Sequence, residues 1–362
     1  MNNSSHSVSN RKKLRHIAVA SMVAMSVFLS ACGGDNAIDA PPHDVEQEML
    51  RAVEGNPSGV SGGTSLSNEQ ESPSNLTVYL KDHHGYLAPV SYNIEAADPA
   101  ALAKAGLDLL VEGSVSASQV PQGFSATLPK GTSVQNVTIN PEQKVAVVEF
   151  SKQFQQYEPE QERRILESIT WTLTSIADVE QVQLWMDSQK LTEMPVNGTP
   201  LDSNLTRNYG INLEKQDNVS YLNSMPVLVY FTSLTTDGKT YYVPVTRLIE
   251  PTDDVAQAAL QQLIAGPQNM KAMSRVMTEE TKINKLDIEG DTMIVDLGDS
   301  MFDEESMIPV DLLKSVVLSL TELPDVEKVK ISINGRTDIK GMDSKDYSEP
   351  VSRPVVNQAL KG

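Results

Sequence analysis

Apolar residues recur along this chain in two rhythms, and the same succession of rhythms is read twice. Residues 76–81 alternate apolar and polar as a strand does, residues 82–85 break the pattern, and residues 86–94 resume it, which predicts a hairpin. A helix follows. Asp98 is placed to cap it, Pro99 suits its first turn, Leu102, Leu109 and Leu110 line one side, and Gly113 ends it. Strands are predicted at 134–139 and 145–150. A helix at 159–176 carries Ile165, Ile169, Leu173 and Ile176 at helical spacing, and a last strand lies near 180–186. After residue 224 the order restarts. Strands at 226–231 and 240–249 flank the turn Thr236-Asp237-Gly238-Lys239. A helix capped by Thr252 stops at Gly266-Pro267. Strands near 282–288 and 292–297, a helix carrying Leu312, Leu313, Val316, Val317 and Leu320, and a strand at 326–333 complete the second round.

The two rounds share residues as well as rhythm. Asp178-Val179-Glu180 returns as Asp325-Val326-Glu327, an offset of 147 positions that also carries 145–150 onto 292–297 and 165–174 onto 312–321. The tails rhyme one position off that offset, Leu205-Thr206-Arg207 against Val351-Ser352-Arg353. Solenoid repeats run to roughly 20–50 residues, so each copy reads as a whole domain. The expected fold class is α+β: two tandem domains, each a small mixed sheet packed by two helices. The first spans 75–190 and the second, with a C-terminal tail, 225–362; a connector spans 191–224.

The chain opens on an address. Arg11, Lys12, Lys13 and Arg15 precede a mostly apolar run at 17–29, too short for a bilayer span of about 20 residues. Leu29-Ser30-Ala31-Cys32 has the small residues before a cysteine that a lipoprotein signal needs. Residues 1–31 therefore read as a signal peptide and Cys32, the only cysteine, as the acylated (palmitate-bearing) residue. Residues 32–74 are rich in Gly, Ser, Pro and acid and read as a disordered tether with a reach of about 35 Å. Loss of the signal takes four positive and no negative charges, moving the net charge from −19 to −23. Such a chain is not expected to hold nucleic acid, and it is repelled by anionic surfaces, so the lipid must do the tethering. The expected location is the extracytoplasmic face of the cell membrane.

The segments 109–113 and 259–267, the loop Leu128-Pro129-Lys130-Gly131-Thr132, the acidic strand ends Glu149 and Asp296, and the Asp-Val-Glu echo resemble the GerMN domain. Two such domains behind a lipoprotein signal resemble the GerM family of sporulation and germination lipoproteins of endospore-forming Firmicutes. The resemblance covers roughly residues 75–362. The second copy departs from it, with Met277-Thr278-Glu279-Glu280-Thr281 in place of the 128–132 loop. The family's domain is similar to the ring-building domains of secretion-type assemblies, which implies scaffolding. The expected function is a membrane-anchored scaffold of sporulation and germination that binds envelope proteins. The alternative is a protein that binds or hydrolyses spore-cortex peptidoglycan. A third reading, a small-ligand sensor, predicts a sizeable closed pocket where the copies meet.

No catalytic, cofactor-binding or metal site is expected. Asp82-His83-His84 sits in a hairpin turn and reads as a solvated turn; the second copy has Asp237-Gly238-Lys239 there. Each copy offers one carboxylate at a strand end, Glu149 or Asp296, where a glycosidase needs two facing one cleft. Asp178 and Asp325 are expected to fix the helix-to-strand turn by hydrogen bonding local backbone. Trp171 reads as core. The candidate partner contacts are Arg207 and Arg353, which recur at the tails and suit a partner carboxylate or a surface ion pair, and Trp185, if its strand face is outward.

Overall fold

The computed structural model describes residues 74–217, 219–302 and 307–360. The signal segment, Cys32 and the tether up to residue 73 lie outside the described residues, and the tether's expected last residue, Ser74, already belongs to the first strand. In the first copy β1 (Ser74–Asp82) and β2 (Leu87–Ile94) pair antiparallel as the alternation requires. Leu76, Val78 and Leu80 enter the main core, while Tyr79 turns to the other face and meets Trp171 edge-on. α1 (Pro99–Leu109) starts where expected: the Asp98 carboxylate accepts the Ala101 N–H, and Pro99 occupies the first turn. β3 (Phe124–Ser125) adds to β1. Then come β4 (Val134–Asn140), β5 (Val145–Phe150), α2 (Glu162–Leu173), β6 (Gln181–Met186) and β7 (Gln189–Lys190). They make a mixed sheet in the order β4-β5-β6-β7, with only β5 and β6 parallel. α1 packs on β1 and β4, and α2 on β1 and β6, so both helices lie between hairpin and sheet.

The connector contributes β8 (Glu214–Lys215). The second copy then repeats the plan with β9 (Met225–Leu234), β10 (Thr240–Ile249), α3 (Val255–Ala265), β11 (Lys282–Glu289) and β12 (Thr292–Gly298). It continues with β13 (Met307–Ile308), α4 (Val310–Leu320), β14 (Lys328–Ile333), β15 (Lys340–Gly341) and β16 (Val351–Ser352). Its mixed sheet runs β11-β12-β14-β16. One expectation about its first helix is corrected. α3 begins at Val255, so the cap falls on Asp254, whose carboxylate accepts the Gln257 N–H; the Thr252 hydroxyl accepts the Asp254 N–H one step earlier.

One continuous apolar core runs through both copies, so the described domains pack as one body. Two satellite clusters flank the seam between them. One holds Tyr79, Leu87, Trp171 and Ile211; the other holds Tyr230, Tyr242, Leu318 and Val356. These are the same four places in the two copies. Tyr79 faces Pro89 across its hairpin as Tyr230 faces Pro244, Leu87 and Tyr242 each precede that proline by two, and Trp171 and Leu318 are equivalent by the repeat offset. Leu228 touches both clusters. The fold is thus α+β, with two tandem domains related by approximate symmetry.

Candidate functional site

The repeated and singled-out polar residues converge on the seam and on the turns. Each copy's tail lies across the seam. Ile211 packs its side chain on the first copy, while its N–H and C=O bond Thr246 of the second, at 2.9 Å to Oγ1 and 2.8 Å from N. Val356 packs on the second copy, while its C=O accepts the Ser91 hydroxyl of the first at 2.9 Å. The next residue is asparagine in both tails. Asn212 Oδ1 accepts the Leu87 N–H at 2.8 Å, and its Nδ2 donates to Leu87 O and Pro244 O, each at 2.7 Å. Asn357 Oδ1 accepts the Tyr242 N–H at 2.9 Å, and its Nδ2 donates to Pro89 O at 2.7 Å and Tyr242 O at 3.0 Å. Each amide bridges β2 and β10. The tail rhyme at Arg207 and Arg353 does not reach this pair, because the first tail carries one more residue between its arginine and its asparagine than the second does; the signal lies in Ile211-Asn212 against Val356-Asn357 once that one-residue gap is allowed.

Arg207 and Arg353 occupy equivalent places and spend their guanidinium groups within the chain. Arg207 donates to Thr174 Oγ1 at 3.0 Å and to Thr174 O, stacks 4.5 Å over Trp171, and reaches Glu322 at 3.5 Å across the seam. Arg353 donates to Thr321 Oγ1 and Leu318 O, to the Tyr230 hydroxyl at 2.7 Å, and to Glu322. Both arginines and the Tyr230 hydroxyl therefore meet on one carboxylate that sequence reading did not single out. Burial pushes the Tyr230 phenol well up, against the lowering effect of Arg353, so it stays a neutral donor.

The Asp82 turn needs a correction. His83 and His84 are exposed, their rings tilted by 41° with centroids 3.9 Å apart, but Asp82 is buried. Its Oδ1 accepts the His84 and Tyr86 N–H groups, and its Oδ2 accepts the Tyr241 hydroxyl of the second copy at 2.8 Å. Asp178 and Asp325 are likewise not anchored by the expected side-chain bonds. What their position demands is a left-handed backbone, φ +63° and +64°, which aspartate tolerates. Glu149 Oε1 accepts the Ser188 N–H at 2.8 Å and Asp296 Oδ1 the Gly335 N–H at 2.9 Å, each holding the tight turn after its copy's inner parallel strand. Burial raises the Asp296 carboxyl, and hydrogen bonds from Asn284, Ser332 and Gly335 outweigh it, leaving it below the usual aspartate value. Trp185 lies half-buried on the face of β6 opposite the buried Val182 and Leu184, with its indole N–H enclosed and without a hydrogen-bond partner.

Among the described residues, no three His, Cys, Asp or Glu side chains gather as metal ligands. The cavities where the copies meet are open clefts. One of about 470 Å³ lies between Tyr92 and residues 118–122 on one side and Thr235, Asp237 and Lys239 on the other. A larger one, of about 1260 Å³, is lined by the hairpin turn, residues 125–130, the start of α2 and connector residues 212–214, with Tyr221 and Asn269 completing it.

Residues 77–192 and 228–338 each match the family model described as "Germane: Sporulation and spore germination". Spore germination protein GerM of Bacillus subtilis (strain 168) is 33% identical over 367 residues, covering 95% of this chain and 97% of that protein. The solved tandem GerMN domains of the sporulation protein GerM from Bacillus subtilis match with a TM-score of 0.72 at 35% identity, covering 79% of this chain and 99% of that one. The chain belongs to the Germane family of sporulation and spore germination proteins.

Proposed function

We propose that this chain acts in sporulation and spore germination as an extracytoplasmic scaffold, held at the cell membrane through an acylated Cys32 and working by protein–protein binding. One observation carries the reading: the polar residues that the duplication keeps are consumed by the fold. Glu149 and Asp296 hold turns, Asp178 and Asp325 supply left-handed backbone, and Arg207 and Arg353 clasp Glu322. What remains for function is surface. β4 and β11 end their mixed sheets, each with one hydrogen-bonded neighbour among the described strands, so each offers a row of backbone donors and acceptors to an added strand. Trp185 adds an aromatic contact on an outward sheet face. A lipid anchor confines the protein to a surface and raises its effective concentration there.

The test is capture from sporulating cells with the tagged full chain and a Cys32→Ala control. Recovery of one or a few envelope proteins in fixed ratio, lost in the control, is the expected result. A chain that brings down no protein but pellets with peptidoglycan would overturn the scaffold reading in favour of wall binding.

A further inference from the structure

We infer that the larger cleft binds a short acidic peptide segment of a partner protein, with Arg164 as its carboxylate anchor; this deepens the protein-binding reading above and rests on it. Arg164 is the third residue of α2 and lines the cleft. A Cβ on Gly85, whose φ of +90° suits glycine, would lie only 3.7 Å from Arg164 Nη1. That nitrogen is enclosed and has no hydrogen-bond partner. Its neighbour Arg163 is instead spent on Glu167 and the Tyr209 carbonyl. A guanidinium donor taken out of water without an acceptor is costly, and a planar carboxylate satisfies its fork.

The surrounding charge fits one or two carboxylates. Lys81 and Lys130 line the same cleft and form no ion pair, and exposed His84 stands beside them. Glu112 and Glu160 oppose them, so the unpaired lining charges leave a surplus of one positive in a chain whose net charge is −19. Those two carboxylates reject a polyanion and admit a segment with few acids. Tyr221, 67% exposed, lines the cleft with Asn269, and the next residues in the chain, Leu222 and Met270, are exposed at 100% and 55%. A segment that sets acids beside an aliphatic residue meets both chemistries. The duplication supplies a control, because the second copy carries Asp311 at the place of Arg164 and Glu279 at that of Lys130. The cations belong to the first copy alone.

The experiment is fluorescence anisotropy on the full chain in detergent, with a rhodamine-labelled peptide GSELQELSG, which carries two glutamates and is blocked at both ends, and its analogue with both glutamates replaced by glutamine. The acidic peptide is expected to bind about tenfold or more tighter than the analogue, and more weakly as salt rises. Arg164→Ala is expected to lose about tenfold and Arg164→Lys less, with Lys130→Glu as an independent second variant, each checked for native circular dichroism. Equal binding of the two peptides, no binding of the acidic one, or full affinity in both folded Arg164→Ala and Lys130→Glu would overturn the inference. If Arg164→Ala still captures the partners that the unaltered chain captures from cells, the cleft inference falls and the scaffold reading stands; if the unaltered chain captures none, the scaffold reading falls by itself.

Discussion

Asn212 and Asn357 perform the same act on opposite sides of one seam. Each sits in left-handed backbone, φ +48° and +54°, immediately after a tail residue that packs on its own copy. Each presents one amide to the facing edges of β2 and β10, accepting an N–H from one copy and donating to carbonyls of both. Asparagine suits the position twice over, since its side chain carries both donor and acceptor and its backbone tolerates positive φ. The two copies are thereby sewn into one body by their own tails.

Removing either stitch should cost about 2–4 kcal/mol. Asn212→Ala leaves the buried Leu87 N–H without an acceptor and forces alanine into left-handed backbone. Asn212→Gly keeps the backbone and loses only the bonds, so it should cost less. Asn357→Ala and Asn357→Gly should follow the same order. Denaturant midpoints of the four variants check this.

Glu214 ties β8 to the second copy through a buried pair with Arg247, 2.5 Å from Nη2 and 3.1 Å from Nε, inside a parallel bridge with β10. Glu214→Gln should cost about 3–5 kcal/mol, because it removes the one carboxylate paired with a buried guanidinium and leaves it only the neutral acceptors of the new amide and of Gln262. Replacing both partners by Leu and Met should recover most of that loss. Thermal denaturation of the single and double variants decides it.

Glu322 should couple to both arginines. In double-mutant cycles, Glu322→Ala with Arg353→Ala should show the larger coupling and Glu322→Ala with Arg207→Ala the smaller, since the two guanidinium groups are equally exposed but Arg353 contacts the carboxylate closely and shares the Tyr230 hydroxyl with it, whereas Arg207 reaches it only at 3.5 Å. Each cycle is read from urea unfolding, and near-zero coupling for Arg353 would contradict the geometry.

Acid should loosen the loop at residues 194–200 through Glu162. Burial raises this carboxyl, and hydrogen bonds from Thr199, Asn197 and Tyr157 outweigh it, so it lies below the ordinary glutamate value of 4.5. A carboxyl lowered on folding stabilises above its unfolded value, and that contribution is lost as pH falls through the folded one. Glu162→Gln should therefore lower stability at neutral pH and flatten the decline below 4.5. Urea midpoints measured across the acid range test both halves.

The elements and their order were legible because each copy alternates cleanly and its helices carry strong apolar stripes; β1, β2 and β5 lie within a residue or two of where the pattern puts them, while α1 starts as expected but ends at Leu109, capped by Leu110, short of Gly113. The repeat singled out Glu149 and Asp296 as a pair but not what they do, which is to accept the equivalent turn N–H in the two copies. What the sequence hid is what only packing creates. Asp82 reads as a solvated turn residue until Tyr241, 159 positions away, is folded against it. Glu322 has no repeated partner to draw the eye, and it becomes a hub because two tails arrive there from different copies. Thr252 lost the cap to Asp254 through a two-residue shift in the helix start, a difference that local propensity does not resolve.

The claim that the copies form one body is tested most directly by native-state hydrogen exchange at the Leu87 and Tyr242 amides, the protons held by Asn212 and Asn357. The account predicts that both exchange only through global unfolding, at the same denaturant dependence as the core amides of Tyr79 and Tyr230, which bond Thr172 and Ser319 inside their own copies. Exchange of Leu87 and Tyr242 at low denaturant, while Tyr79 and Tyr230 remain protected, would mean that the seam opens by itself and would contradict it.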